Sequence, residues 1–183
     1  MEQVKKSPKE RFRTGCLKQL RHAAKHGGYR KDKRVLEALM HLIKTERATS
    51  VMLYLPLETE VNLYPLIYRL RRQGVNVYVP FMEGESFRLV KYRYPLHVRR
   101  FGIKEPKFSR QHRKKQIDIA VVPIVGMDAS YRRIGFGKGM YDRFFEKEIE
   151  NIKKVVFVAR ELCYSKEIIT DHYDVKADIV IVP

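Results

Sequence analysis

Residues 133–143 are the part of this chain best suited to bind phosphate groups. They read Arg-Ile-Gly-Phe-Gly-Lys-Gly-Met-Tyr-Asp-Arg, with glycine at every second position from 135 to 139. Because these glycines have no Cβ, their backbone N–H groups can converge on anionic oxygens without steric cost. Arg133 and Lys138 add positive charge, and the apolar spacing that begins at Tyr141 and Asp142 predicts a helix whose N-terminus favours anions. The segment therefore predicts a phosphate-binding loop.

Two common nucleotide-binding motifs do not fit this segment. In a P-loop the Gly-Lys pair is followed by Ser or Thr, whereas Lys138 is followed by Gly139. The dinucleotide fingerprint leaves two residues between its second and third glycines, and here a single residue separates them. On these residues alone, an ordinary surface turn is the alternative to a phosphate cradle.

The net charge is the most unusual property of the composition. The 183 residues include 38 Lys and Arg against 21 Asp and Glu, which gives +17 at pH 7. Positive charge is concentrated in residues 1–50 and 88–115, and Glu105 is the only acidic residue of the second segment. This charge predicts a polyanionic partner. The candidates are nucleic acid, an anionic membrane, a nucleoside triphosphate and a carboxylate-rich metabolite. The length predicts a single domain over residues 1–183.

The two cysteines, Cys16 and Cys163, follow no spacing pattern of a disulfide framework or a metal site. We predict that both are reduced, as in a cytoplasmic protein. No segment approaches the ~20 apolar residues of a membrane span, and the charged N-terminus lacks the apolar core of a signal peptide. The sequence therefore predicts a cytoplasmic protein without a membrane partner.

Hydrophobic periodicity predicts an α/β fold. Apolar residues recur at helical spacing over about 9–25, 31–45 and 63–73, with Asn62 and Gly74 as the expected N-cap and stop of the third helix. Short apolar runs predict buried strands at 50–55, 75–79, 117–122, 155–159 and 179–182, and residues 95–116 are interpreted as a long basic excursion. Alternating strands and helices predict a three-layer fold, with a mainly parallel twisted sheet, helices on both faces and two N-terminal helices. Ligands bind beyond the carboxyl ends of the strands in such sheets, which places Leu55 and Pro123 near a site.

Five segments, in the same order along the chain as in the family, resemble the 5-formyltetrahydrofolate cyclo-ligases, also called methenyltetrahydrofolate synthetases. The strand 117–122 followed by Pro123, Met127-Asp128 and the loop 133–143 is similar to the signature of that family. The other four matching segments are Lys9-Glu-Arg-Phe-Arg13, Leu55-Pro-Leu-Glu-Thr-Glu60-Val-Asn, Gly102-Ile-Lys-Glu-Pro106 and Tyr173-Asp174-Val-Lys-Ala-Asp178. Together they extend over nearly the whole chain.

The resemblance implies ATP-dependent cyclisation of 5-formyltetrahydrofolate to 5,10-methenyltetrahydrofolate, with release of ADP and phosphate. In the family the formyl oxygen is phosphorylated, and N10 of the folate then attacks the formyl carbon. ATP is the implied co-substrate and Mg²⁺ is the implied metal. The implied partners are small molecules, and we expect a monomer.

The resemblance also implies a role for individual residues. Arg133 and Lys138 are the implied catalytic residues, and Asp142 and Asp174 the implied metal ligands. The implied ATP-binding residues are Lys9, Arg13, Arg133, Ile134, Gly135, Phe136, Gly137, Lys138, Gly139, Met140 and Tyr141. The implied folate-binding residues are Leu55, Glu60, Phe136, Gly137, Lys138, Gly139 and Met140.

Each of these side chains also has a simpler interpretation. Lys9 and Arg13 could belong to a solvated helix face. Asp142 could simply favour a helix terminus, and Asp174 could be an ordinary turn residue. Glu60 could cap a helix, and Leu55 could be a core residue. Aromatic residues beside strands usually belong to the core, so four of them are left outside the predicted site: Tyr54, Phe81, Phe87 and Tyr92.

Three positions depart from the family pattern. Tyr131 stands where the family has a turn glycine, and it is strained if that position needs a positive φ. Met140 replaces a tyrosine and Tyr173 replaces a histidine. No departure removes a charged group assigned to phosphate or metal, so we expect the chain to be active.

A second hypothesis, motivated by charge, is a basic RNA- or polyanion-binding module with an idle nucleotide loop.

Overall fold

The computed structural model describes residues 6–99, 102–107 and 116–183. The helices are α1 (Pro8–Lys25), α2 (Gly28–Thr45), α3 (Tyr64–Arg72) and α4 (Met140–Glu148). The strands are β1 (Ser50–Met52), β2 (Asn76–Glu83), β3 (Ser86–Lys91), β4 (Leu96–Val98), β5 (Lys104–Pro106), β6 (Ile117–Pro123), β7 (Gly126–Asp128), β8 (Arg133–Ile134), β9 (Ile152–Val158), β10 (Tyr164–Ser165) and β11 (Ile179–Ile181). The helices and strands predicted from periodicity are all present.

The central sheet of the described chain has the strand order β11-β9-β6-β1-β2-β3. Every neighbouring pair is parallel except β2 and β3, which form an antiparallel hairpin. The mainly parallel sheet is therefore confirmed, and the edge strand β3 is an addition that periodicity did not predict. A second, smaller sheet has the order β10-β7-β8 and carries the start of the glycine loop.

Alternate residues of the central strands point to opposite faces of the sheet, and each face is covered by helices. Val51 and Val121 share one buried cluster with α2 and α3. Met52 and Val122, their chain neighbours, share the other cluster with α1 and α4. Because side chains alternate along a strand, two apolar faces require two covering layers. The predicted three-layer fold is confirmed.

The ends of α1 and α3 follow local sequence signals. Ser7 and Glu10 form a reciprocal capping box that begins α1. The Asn62 side chain accepts a hydrogen bond from the Tyr64 N–H at 3.1 Å, so it caps α3 from one residue before the helix N-cap position. Gly74 has a φ of 79°, which agrees with its predicted role after the end of α3.

Part of the basic excursion predicted at 95–116 is an antiparallel ribbon of β4 and β5, in which Leu96 pairs with Pro106. Residues 100–101 and 108–115 of that excursion, and residues 1–5, lie outside the described residues. Among the described residues, no helix has the length and apolarity needed to cross a bilayer.

The prediction that both cysteines are reduced is wrong in this structure. Cys16 of α1 and Cys163, which lies before β10, form a disulfide with their Cα atoms 5.7 Å apart. The two residues are 147 positions apart, so only the packing of α1 against the smaller sheet brings them together. The disulfide removes reduced cysteines as a reason to expect a cytoplasmic protein.

Candidate active site

A cavity of about 540 Å³ opens beyond the carboxyl ends of the central strands. Residues after β1, from the loop 135–142, from α1 and from the segment before β11 converge on it. The predicted site residues that line it are Lys9, Arg13, Leu55, Glu60, Arg133, Gly135, Phe136, Gly137, Lys138, Gly139, Met140, Tyr141, Asp142 and Asp174.

Ile134 is the predicted site residue that does not line this cavity. Its side chain is fully buried in β8, and its carbonyl accepts a hydrogen bond from the Val125 N–H at 2.9 Å. The sequence prediction included it because it lies between Arg133 and Gly135. The structure instead makes it a core residue that fixes the start of the loop.

Asp128 ties the hairpin before the loop to the segment that carries Asp174. Its Oδ1 accepts hydrogen bonds from the N–H and hydroxyl of Ser130, and its Oδ2 accepts from Ile169 and Thr170. Burial of the carboxyl opposes ionisation, but these hydrogen bonds outweigh it and hold the pKa of Asp128 below its usual range. The hairpin turn contains Tyr131 at a φ of 60°, the strained conformation expected if this turn needed glycine.

Arg133 is buried and held from three sides. Its Nε donates to the Pro123 carbonyl at 3.1 Å, its Nη1 lies 3.7 Å from Oδ2 of Asp142, and its guanidinium carbon lies 4.7 Å from the Tyr141 ring centroid. A Cβ at Gly135 would overlap the same guanidinium group, so position 135 must be glycine for Arg133 to lie there. These contacts orient a cation at the edge of the cavity.

The rest of the loop presents its backbone to solvent and to the cavity. Gly137 and Gly139 have φ values of 90° and 62°, in the left-handed region that favours glycine. Gly139 is the N-cap of α4, so the first turn of that helix, with Tyr141 and Asp142, begins at the cavity. Lys138 is exposed between the two glycines. A helix N-terminus, a glycine-rich backbone and two cations at one cavity form an arrangement that is suited to an anion.

Lys9 and Arg13 reach the cavity from one face of α1, because residues four apart lie one above the other on a helix. The Nε of Arg13 donates to the Gly135 carbonyl at 2.8 Å, which connects α1 to the loop. The Nζ of Lys9 forms ion pairs with Asp174 and, at 3.1 Å, with Asp171. Burial alone lowers the pKa of Lys9, but the hydrogen bonds to the two carboxylates outweigh it and raise the pKa.

Asp142 and Asp174 lie at the same cavity but are already partnered. Asp142 accepts from the Val175 N–H at 3.3 Å and faces Arg133, while Asp174 accepts from the Asp171 N–H at 2.7 Å and from Lys9. Within the described ranges, no three His, Cys, Asp or Glu side chains are grouped as a metal site. Two carboxylates beside a phosphate loop still fit Mg²⁺, which takes most of its remaining ligands from phosphate oxygens and water.

Glu60 enters the cavity from a short turn after β1. Its Oε2 accepts a hydrogen bond from the Leu57 N–H at 2.8 Å, so the carboxylate belongs to its own turn and does not cap α3. Burial raises the pKa of Glu60 to about 7, although the Leu57 N–H and the charges of Arg133 and Arg160 act in the opposite direction. The site therefore contains a carboxyl group that titrates near neutral pH.

Comparison with known proteins gives the family of this chain. The model of the 5-formyltetrahydrofolate cyclo-ligase family matches residues 5–183. This chain belongs to that family. The cyclo-ligase resemblance predicted from five short segments is thereby confirmed, and with it the conclusion that the chain is an enzyme.

Named relatives of this cyclo-ligase family member match most of its length. The 5-formyltetrahydrofolate cyclo-ligase of Haemophilus influenzae is 30% identical over 155 residues, which cover 79% of this chain and 81% of that protein. The cyclo-ligase of Escherichia coli strain K12 is 27% identical over 143 residues, or 74% and 79% of the two chains.

Two solved structures share the fold of this cyclo-ligase family member. The 5,10-methenyltetrahydrofolate synthetase of Aquifex aeolicus has a TM-score of 0.77 and 28% identity, covering 95% of this chain and 88% of that chain. The synthetase of Mycoplasma pneumoniae has a TM-score of 0.73 over 96% and 98% of the chains, and at 20% identity this likeness shows the fold alone.

Some cavity residues of this cyclo-ligase family member were missed by sequence reasoning. Tyr54 and Phe87 line the cavity, whereas Phe81 and Tyr92, the other two aromatics considered, do not. Lys104 also lines it, from the ribbon strand β5. The sequence signal for Lys104 was present in the matching segment 102–106, but nothing local distinguished Tyr54 and Phe87 from core aromatics.

A buried ion pair behind the Glu60 turn was also missed. Arg160, after β9, donates from Nε and Nη2 to the two carboxylate oxygens of Asp32 at 2.7 and 3.0 Å. Its Nη1 donates to the Glu58 carbonyl at 2.6 Å, and Asp32 accepts from the Asn62 N–H at 3.2 Å. The pair therefore holds both ends of the turn that contains Glu60.

Proposed function

We propose that this cyclo-ligase family member converts 5-formyltetrahydrofolate and ATP into 5,10-methenyltetrahydrofolate, ADP and phosphate. The observation that carries the proposal is the convergence on one cavity of the cationic glycine loop with the turn that presents Glu60. The names of the relatives support the folate substrate, since they are 5-formyltetrahydrofolate cyclo-ligases and 5,10-methenyltetrahydrofolate synthetases.

The reaction needs an activated formyl oxygen. A formamide carbon is a weak electrophile and its oxygen is a poor leaving group. Transfer of the γ-phosphoryl group to that oxygen makes phosphate the leaving group when N10 attacks. This transfer needs positioning and charge neutralisation, which the loop can supply, and it needs no covalent participation by the protein.

In this proposal Arg133 and Lys138 neutralise the charge that develops on the transferred phosphoryl group. Arg133 is buried, donates to the Pro123 carbonyl and pairs with Asp142, so its charge is already oriented before the substrate binds. Lys138 is exposed on the loop and can follow the phosphoryl group as it moves. Both cations act without becoming bonded to the substrate.

Lys9 and Arg13 add positive charge for the other phosphates of ATP. Arg13 is fastened to the loop through Gly135, and Lys9 would exchange part of its ion pairing with Asp174 for phosphate oxygens. Asp142 and Asp174 are the residues that would hold Mg²⁺, with water and phosphate oxygens completing its ligands. When bound, the metal would reduce the negative charge of the triphosphate.

The folate is proposed to bind where the cavity is apolar and contains Glu60. Leu55, Met82 and Phe87 supply apolar surface for a flat ring. Glu60 supplies the hydrogen-bond acceptor that a pterin N–H edge needs, and the loop residues Phe136 to Met140 lie between the two proposed subsites. In this proposal the phosphoryl donor lies next to the formyl oxygen.

The test is the near-ultraviolet absorbance of the methenyl product. Purified protein with Mg²⁺, ATP and 5-formyltetrahydrofolate should give this absorbance together with equal amounts of ADP and phosphate. Omission of ATP should abolish the signal. Absence of product at high enzyme concentration would reject the proposal, and ADP release without folate turnover would indicate a phosphoryl transfer to another acceptor.

A further inference from the structure

A second, shallower groove lies between α3 and the ribbon of β4 and β5. It has a volume of about 610 Å³ and is lined by Tyr64, Tyr68, Tyr94, Leu96, Val98 and Lys104. The proposed cyclisation uses none of its three tyrosines. We call this surface the tyrosine groove.

The tyrosine groove exposes aromatic surface on both of its walls. Tyr68 of α3 is 43% exposed and Tyr94, on the opposite wall, is 58% exposed. Their hydroxyl groups form a hydrogen bond of 2.5 Å across the groove. Tyr64 and Tyr68 lie four residues apart on α3, with ring planes 24° apart and centroids separated by 6.4 Å. The Nζ of Lys104 lies 5.7 Å from the centroid of the Tyr64 ring, so that ring is partly covered, whereas Tyr68 and Tyr94 keep exposed ring surface.

The surroundings of the tyrosine groove carry positive charge without exposed acidic side chains. The helix α3 contains no Asp or Glu, and its last turn contains Arg69, Arg71 and Arg72. On the other wall, Glu105 is the only acidic residue among the described residues from 86 to 107. Glu105 is 2% exposed and accepts a hydrogen bond from the Met82 N–H, so its carboxylate is not exposed at the groove surface. These two walls therefore carry net positive charge, which favours an anion.

We propose that the tyrosine groove binds single-stranded nucleic acid. Bases stack on the tyrosine rings, and the phosphates lie against Lys104 and the arginines at the end of α3. Exposed aromatics within a cationic groove are suited to unpaired bases, because bases inside a duplex cannot reach the rings. An acidic peptide satisfies the charge but leaves the tyrosines without a stacking partner. The chain's +17 charge supplies the attraction that brings such a polyanion to the surface.

The test is fluorescence anisotropy with a labelled oligouridine of about 12 nucleotides, a length within the range of single-strand binding sites. Tyr68→Ala and Tyr94→Ala should each weaken binding about tenfold, because each removes one stacking ring. Tyr68→Phe and Tyr94→Phe should bind like the wild type, since the ring is kept. Tyr29→Ala is the matched control, because Tyr29 is 83% exposed on α2, away from the groove.

Competition separates base stacking from charge attraction. An unlabelled single strand should displace the label at much lower concentration than a duplex of equal length or a polyglutamate peptide. Equal competition by the three polyanions, or alanine variants that bind like the wild type, would overturn the proposal. Thermal melting of each variant verifies its fold, and the binding readout does not depend on whether the protein cyclises folate.

Discussion

The guanidinium group of Arg133 occupies the space into which a side chain at Gly135 would project. The backbone at position 135 does not have a positive φ, so glycine is required here by space and not by backbone conformation. Any side chain added at position 135 would therefore have to displace the guanidinium group of Arg133. This steric coupling provides the most direct test of the arrangement of the site.

We expect Gly135→Ala to lower the turnover number about a hundredfold, because the new methyl group displaces Arg133 from the cavity edge. The measurement is steady-state kinetics together with a thermal melt. Gly15→Ala is the matched control, since nothing lies within 4 Å of the Cβ position of Gly15 in α1. A Gly135→Ala enzyme with wild-type turnover would show that the position of Arg133 is unimportant.

Lys138→Ala and Arg133→Ala should differ in their effect on stability. Both should lower turnover by about a hundredfold to a thousandfold, because each removes a charge that is proposed to face the transferred phosphoryl group. Arg133 is 6% exposed and paired with Asp142, so its loss should also lower the melting temperature. Lys138→Ala should lower the melting temperature less, because Lys138 is exposed. The control is Lys166→Ala, at an exposed lysine outside the cavity, and equal turnover in all three variants would contradict the assigned roles.

Glu60 should make the stability of the protein depend on pH. Its pKa is about 7 in the folded protein and has an ordinary value of 4.5, so the folded state keeps a proton that the unfolded state releases between these values. Stability is therefore lost as the pH rises from about 4.5 to above 7, by about 3 kcal/mol at most. Glu60→Gln cannot ionise but can keep the hydrogen bond from Leu57. The Glu60→Gln variant should have a larger free energy of unfolding than the wild type at pH 8, and this difference should disappear at pH 5. Denaturant titrations at both pH values measure it. A constant difference between the two proteins would contradict the raised pKa.

Asp142→Asn should weaken the dependence of the reaction on Mg²⁺. The amide oxygen can still accept from the Val175 N–H, so the start of α4 should stay in place while the negative charge is lost. We expect a severalfold higher Mg²⁺ concentration for half-maximal rate. Glu37→Gln, on the exposed face of α2, is the control. An unchanged magnesium titration would remove Asp142 from the metal ligands.

The Cys16–Cys163 disulfide should contribute strongly to stability. Closing a loop of 147 residues restricts the unfolded chain, and the entropic estimate for that length is about 5 kcal/mol as an upper value. Cys16→Ser, Cys163→Ser and the double variant should lose the same amount in denaturant titrations, because each change breaks the same bond. Two reactive thiols in the denatured, unreduced wild-type protein would mean that the disulfide is absent.

Much of the fold could be predicted because burial leaves a periodic pattern in the chain. The spacing of Leu66, Ile67 and Leu70 predicted α3, and uninterrupted apolar runs predicted the parallel strands, which are buried on both faces. The hairpin strand β3 and the ribbon of β4 and β5 were missed because short, half-exposed strands have a weak pattern.

The sequence by itself determined the family, the order of the elements and the residue types of the phosphate loop, because each depends on near neighbours in the chain. The tertiary structure decided which distant residues meet. It paired Asp32 with Arg160, joined Cys16 to Cys163 and removed Ile134 from the cavity. It also buried Arg133 and raised the pKa of Glu60. The Asp32–Arg160 and Cys16–Cys163 pairs join residues 128 and 147 positions apart, and the other features depend on how whole elements pack. Local periodicity has no signal for either.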